Sequence, residues 1–120
     1  EGLFQNAKEV GGVQVITALV PGADAAALRA MCDRIRDKAP NAAAVLACSS
    51  GGKGNIAAAL GKDAQAMGLN AGKIVKAVAQ LTGGNGGGKP DFAMAGAKDL
   101  SKLEEALAAA ESIVSGMLAK

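Results

Sequence analysis

Apolar residues in this chain fall into runs of two kinds. Some are short, β-branched or uniformly small, and bounded by Gly, Pro or Asn; in others they recur every three to four positions. Gly11-Gly12 releases the run Val13 to Val20, and Pro21-Gly22 ends it, which predicts a mostly buried strand. Asp24 stands where a carboxylate accepts from free first-turn amides, opening a helix over 25–38. Leu28, Met31, Cys32 and Ile35 give that helix one apolar face, and Arg29, Asp33, Arg34, Arg36 and Asp37 cover the remainder. Ala42 to Ser49 is apolar enough for either helix or strand. Its length, the Pro40-Asn41 before it and the Ser-Ser-Gly-Gly after it favour a strand. Gly51-Gly52-Lys53-Gly54 then reads as a hairpin turn into a third strand, Asn55 to Leu60.

Gly61 to Gly68 reads as loop or a short helical turn. Asn70 caps a second long helix over 71–81, with Ile74, Val78 and Leu81 toward the core and Lys73, Lys76 and Gln80 on another face. A glycine-rich segment, Gly83 to Pro90, follows as a loop, and Asp91 to Ala95 as a last short strand. Ser101 with Glu104 has the spacing of a capping box opening a final helix to about Leu118, striped by Leu103, Leu107, Ala110, Val114 and Met117. Strand, helix, strand and hairpin in this order imply one parallel crossover and one antiparallel neighbour. The predicted fold class is α/β, a small mixed β-sheet packed with three main helices, in a single globular domain over residues 1–120.

Composition narrows the chemistry. With 120 residues the chain is long enough for an autonomous core. It has no His, so neither Ser-His-Asp nor Cys-His catalysis nor a His-containing zinc site can be built within it. Phe4 and Phe92 are its only aromatics, which excludes base recognition by rows of stacking rings. Cys32 and Cys48 form no C-x-x-C and sit in apolar settings, as buried thiols do. No catalytic residue and no metal site is expected. No signal peptide and no 18-residue apolar run is present, so no membrane contact is expected and an intracellular, cytoplasmic location fits. The chain opens on Glu1-Gly2-Leu3 without an initiator Met, as a piece of a longer protein would.

The formal charge of +2 is too weak to announce a nucleic-acid binder, but it is unevenly spread. Residues 53–89 hold five basic side chains (Lys53, Lys62, Lys73, Lys76, Lys89) against one acidic, Asp63, while the rest hold eight against ten. The glycine segment lies in the same stretch. Gly83-x4-Gly88-Lys89 approaches a P-loop, but Pro90 stands where Ser or Thr must hold magnesium, and a helix precedes the loop instead of following it. Gly52-Lys53-Gly54 fails as a dinucleotide fingerprint for want of a following helix. A plain turn needs one or two glycines; five in six positions cost entropy at each, so a backbone that approaches something closely is the better reading. Exposed amides beside lysines suit phosphates. The candidate binding residues are therefore Lys53, Lys73, Lys76, Gly86, Gly87, Gly88 and Lys89.

The stretch Gly83-Gly84-Asn85-Gly86-Gly87-Gly88-Lys89-Pro90-Asp91-Phe92-Ala93-Met94-Ala95-Gly96 resembles the C-terminal, DHH-associated domain of bacterial-type alanyl-tRNA synthetases. That family closes with a G-G-x-G-G-G-[RK]-P-D-x-A-Q-x-G segment between two helices. The resemblance extends to Gly61-Lys62-Asp63, to Ala71-Gly72 and to the helix Leu28 to Lys38, and so covers nearly the whole chain. Met94 stands where Gln is usual and Ala97 where a second Gly is common, which touches the loop contacts.

The resemblance implies a non-catalytic module, the C-terminal fragment of a longer synthetase, that grips the elbow of alanine-accepting tRNA so that aminoacylation and editing act on one tRNA. Its other partners would be the remaining domains of the same synthetase. The domain itself would carry no cofactor; ATP, magnesium and zinc would belong to the parent ligase. Two alternatives stand beside it. One is the nucleotide-binding half of a DHH phosphoesterase, whose glycine loop usually precedes His where Lys89 stands here. The other is a dimerisation module, a possible homodimer joined through the stripe of the last helix.

Overall fold

The computed structural model describes residues 8–50, 53–89, 91–97 and 99–118. The chain runs β1 (Lys8–Val10), β2 (Val13–Pro21), α1 (Ala25–Lys38), β3 (Ala42–Ser50), β4 (Lys53–Leu60), α2 (Lys62–Ala66), α3 (Ala71–Gln80), β5 (Asn85–Gly88), β6 (Phe92–Ala97) and α4 (Leu103–Leu118). The strands form one sheet in the order β1-β2-β3-β4-β6-β5. Among the described residues only β2 and β3 run parallel, joined through α1, and every other neighbouring pair is antiparallel. The mixed sheet expected from the sequence is present, with α1 on one face and α3 and α4 on the other.

Local chemistry accounts for the element ends. Gly11 and Gly12 take φ of 58° and 91°, the two left-handed residues that a two-residue hairpin turn requires, and so join β1 to β2. The Asp24 carboxylate accepts from the Ala27 amide at 2.8 Å and opens α1. Asn70 does the same for α3, accepting from Lys73 N at 3.1 Å. At the head of α2 the Asp63 amide donates to the Pro40 carbonyl at 2.9 Å. A methyl on Gly61 would run into the Pro40 backbone.

Central strand β3 explains why Ala42 to Ser49 reads ambiguously. Every residue from Ala42 to Cys48 is at most 1% exposed, covered by α1 on one side and by the α3/α4 layer on the other. Such a strand is apolar throughout and shows no alternation. Its alanines, with Ala57, Ala58 and Ala59 of β4, make a thin sheet that lets the helices approach closely.

Several expectations need correction. The glycine segment is not a loop: Asn85–Gly88 forms edge strand β5. Two residues, Gly51 and Gly52, separate β3 from β4, but they lie outside the described residues, as does Pro90. Leu81 is 45% exposed instead of buried, because α3 ends at Gln80 and Leu81 is its C-cap. Ser101 does not build a capping box; its hydroxyl and amide both donate to Asp99 Oδ1, at 2.6 and 3.1 Å, in a 3-10 turn before α4. Those two bonds hold the Asp99 carboxyl below its ordinary pKa. Of the α4 stripe, Leu103, Leu107, Ala110 and Val114 are buried in the core and Met117 is partly buried against it. Among the described residues, no helix is long and apolar enough to cross a membrane.

Cys32 and Cys48 are free, buried thiols, as expected. Burial pushes the Cys32 thiol from an ordinary 9.0 up to about 12, with the neighbouring Asp33 carboxylate adding to the rise and Arg36 opposing it. A raised native pKa means that stability is complete below pH 9 and is lost as the unfolded chain alone ionises. Urea melts should therefore show a loss of about 2 kcal/mol between pH 9 and 10.5 from this group, a component of the slope that is missing in Cys32→Ala.

Candidate functional site

The edge strand farthest from β1 is built from one asparagine and three glycines. Strand β5 pairs with β6 as Asn85↔Gly96, Gly86↔Ala95, Gly87↔Met94 and Gly88↔Ala93, and among the described residues its outer rim meets no further strand. Alternation then divides the glycines between the two faces. Gly86 and Gly88 face α3, which lies unusually close. A methyl on Gly72 of α3 would sit 2.9 Å from the Gly88 carbonyl oxygen, and one on Gly88 would sit 2.8 Å from Ala93 Cα. The close approach inferred from the glycine run is thus made, at these positions, within the chain itself.

Gly87 is different. It faces the α1 side, has no positive φ, and a methyl there would meet nothing within 4 Å. Nothing in the fold asks for glycine at this position.

On that side α1 covers β3 and β4 but stops short of the edge, which leaves a cleft of about 370 Å³ between α1 and the β5–β6 hairpin. Phe92, Met94 and Gly87 form its floor, and Arg29 and Arg36, two turns apart on α1, form its wall. The two guanidinium carbons lie 5.4 Å (Arg29) and 5.9 Å (Arg36) from the Phe92 ring centroid. At a partly exposed site each such cation–π contact contributes about 0.5–1 kcal/mol. Arg36 is also bonded to the Asp33 carboxylate and reaches Asp91 Oδ2 at 3.2 Å. Both carboxylates are half-exposed, so these pairs contribute at most about 1 kcal/mol each to stability; their effect is to orient Arg36. Arg29 has no carboxylate partner among the described residues. A second cleft of about 390 Å³, lined by Lys62, Gly61 and Gln65, adjoins the first, and Arg36 and Asp91 border both.

The structure gathers most of the residues singled out in the sequence, though not all. Gly86, Gly87 and Gly88 form the edge strand, and exposed Lys89 begins the turn after it, its amide donating to the Phe92 carbonyl at 3.0 Å. Lys73 and Lys76 are exposed on α3, Lys73 directly after the Gly72 contact, but α3 lies behind the edge, on the face away from the cleft. Lys53 begins β4, opposite Ser50, whereas Lys89 lies beyond Leu60 at the other end of that strand. Arg29, Arg36 and Phe92 were not among the sequence candidates. The only available signal was the i, i+7 spacing of the two arginines on an exposed helix face, and nothing local tied them to Phe92.

The sequence matches the family model described as the DHHA1 domain over residues 12–116. It is 42% identical over 116 residues to the alanine–tRNA ligase of Trichodesmium erythraeum, a match covering 96% of this chain and 13% of that protein. The chain therefore spans about an eighth of that relative's length. Its fold superposes on the C-Ala domain of Aquifex aeolicus alanyl-tRNA synthetase with a TM-score of 0.84 and 25% identity, covering 92% of this chain and 99% of that one. A DHH-domain protein, PF0399, shares the fold at a TM-score of 0.61 and 16% identity, covering 96% of this chain and 29% of that one.

The contrast between neighbouring glycines is testable by chemical denaturation. Gly88→Ala and Gly72→Ala should each cost about 1–3 kcal/mol through overpacking. Gly87→Ala should be neutral or stabilise by about 0.4–1 kcal/mol, because it only restricts the unfolded chain.

Proposed function

Because the chain belongs to the DHHA1 domain family, we propose that it is the non-catalytic, tRNA-binding C-terminal module of an alanine–tRNA ligase. The observation that carries this reading is the glycine-built edge with cations on both sides of it. Lys73, Lys76 and Lys89 are exposed, and none has a carboxylate partner among the described residues. A rim of bare backbone flanked by lysines can follow a phosphate backbone without needing rows of rings. The tRNA elbow, a surface recognised by shape and backbone, suits such a module. Alanine identity would then be read elsewhere in the ligase, and ATP, magnesium and zinc would act in its other domains.

The rival reading, the nucleotide-holding half of a DHH phosphoesterase, draws support from fold alone, at 16% identity. The sequence relatives are alanine–tRNA ligases, so the first reading is preferred.

Titration of labelled tRNA into the chain at several salt concentrations tests the proposal. Affinity should fall steeply with salt, and Lys73→Ala/Lys76→Ala should reduce the log–log slope by about 2. Lys53→Ala, at the far end of β4, should change it less. Salt-independent binding, or an unaltered slope in the double variant, would sink the assignment.

A further inference from the structure

We propose that Arg36 is a positioning residue for RNA binding: from α1 it holds the turn between β5 and β6, and so sets where the glycine edge and Lys89 stand before any RNA arrives. The proposal deepens the tRNA-binding reading and rests on it.

The edge strand has few means of holding itself. Ordering its three glycines is entropically expensive. From the α3 side, Gly88 is packed backbone to backbone against Gly72. The α1 side offers no such packing, since a methyl on Gly87 would meet nothing within 4 Å. What α1 sends to the turn instead is the Arg36 side chain.

That guanidinium is shared. Its Nη2 donates to Asp33, one turn back on α1, and its Nη1 donates to Asp91 Oδ2 at 3.2 Å. The same Nη1 lies 3.5 Å from the Asp91 carbonyl oxygen, which also accepts from the Leu60 amide at 2.9 Å. Asp91 thus joins the turn to β4 and to α1 at one residue. A lone exposed ion pair fixes little, but a planar fork divided between two carboxylates and a carbonyl has a defined geometry. Directly across the turn, the Lys89 amide is bonded to the Phe92 carbonyl, and the Phe92 ring lies under the Arg36 guanidinium.

Charge argues for the same role. Asp33 and Asp91 place negative charge beside a surface that meets a polyanion, and on charge alone they oppose binding. A guanidinium committed to two carboxylates also has little left for a phosphate. The network therefore serves binding by ordering the edge beforehand, which lowers what RNA must spend on ordering it.

The experiment measures amide hydrogen exchange in the free chain, and its affinity for labelled tRNA at several salt concentrations. The variants are Arg36→Gln, Asp91→Ala, the two combined, and Arg36→Lys. Exchange of the Lys89 amide should quicken in both single variants, while amides of β2 and β3 keep their wild-type protection. Each single variant should bind tRNA about fivefold more weakly, and the combined one no more weakly than either. Arg36→Lys, which can keep one ion pair, should recover part of the loss. The log–log salt slope should stay put in Arg36→Gln, whereas losing a direct phosphate contact lowers it by about 1. Asp91→Ala is the sharpest arm, because removing an acid tightens polyanion binding unless that acid positions something. Tighter binding in Asp91→Ala, a lowered slope in Arg36→Gln, or unaltered Lys89 exchange would each overturn the proposal. So would wild-type affinity in both single variants; with Lys73/Lys76-dependent binding intact, that result leaves the tRNA-binding reading standing. If Lys89 exchange quickens but the wild-type chain binds tRNA at no salt concentration, the hold on the turn is real. The tRNA-binding reading then falls, and with it any part of Arg36 in RNA binding.

Discussion

Gly72 on α3 and Gly88 on β5 approach so closely that one added methyl would sit 2.9 Å from a carbonyl oxygen, and the glycine-rich end of the sheet is arranged around that approach. A four-residue edge strand of one asparagine and three glycines has almost no side chain with which to hold itself in place. Glycine also carries the largest entropic cost of ordering. What fixes β5 is pairing with β6 on one side and backbone-to-backbone packing against α3 beneath. The alanine faces of β3, β4 and β6 extend the same logic, keeping the sheet thin enough for α3 and α4 to close on it.

That arrangement separates two properties that the sequence presents as one. Glycine at 72 and 88 serves the fold; glycine at 87 does not. The edge itself needs bare backbone on its α3 side, and only the open side leaves a choice. The lysines of α3 and the arginines of α1 consequently lie on opposite faces of the sheet, with the glycine strand forming the rim between them. A polyanion laid over that rim meets cations on both sides.

The sequence carries long elements well, because their signals are local. The Asp24 and Asn70 caps, the α1 face and the run from Val13 are each visible within a dozen residues. It carries short edge strands badly. β1 has three residues, and β5 has no side-chain alternation to read. Ser101 and Glu104 have the right spacing for a cap, yet Asp99 lies nearer to both Ser101 donors and takes them. Leu81 has core spacing, but a spacing cannot say where the helix stops.

Charge shows the same limit more sharply. Counting along the chain isolates the lysines between 53 and 89 and assigns Arg29 and Arg36 to the remainder, which taken together has more acids than bases. Space sorts them differently. The acids nearest Arg36 are consumed in orienting it, and Arg29 stands beside the one described aromatic with no acid to answer it. A net count treats a paired and an unpaired arginine as equal, although only the unpaired one still has its full charge to give to a ligand. The cations that matter for recognition are those the fold leaves uncompensated, and that distinction exists only after α1 has been laid across the sheet.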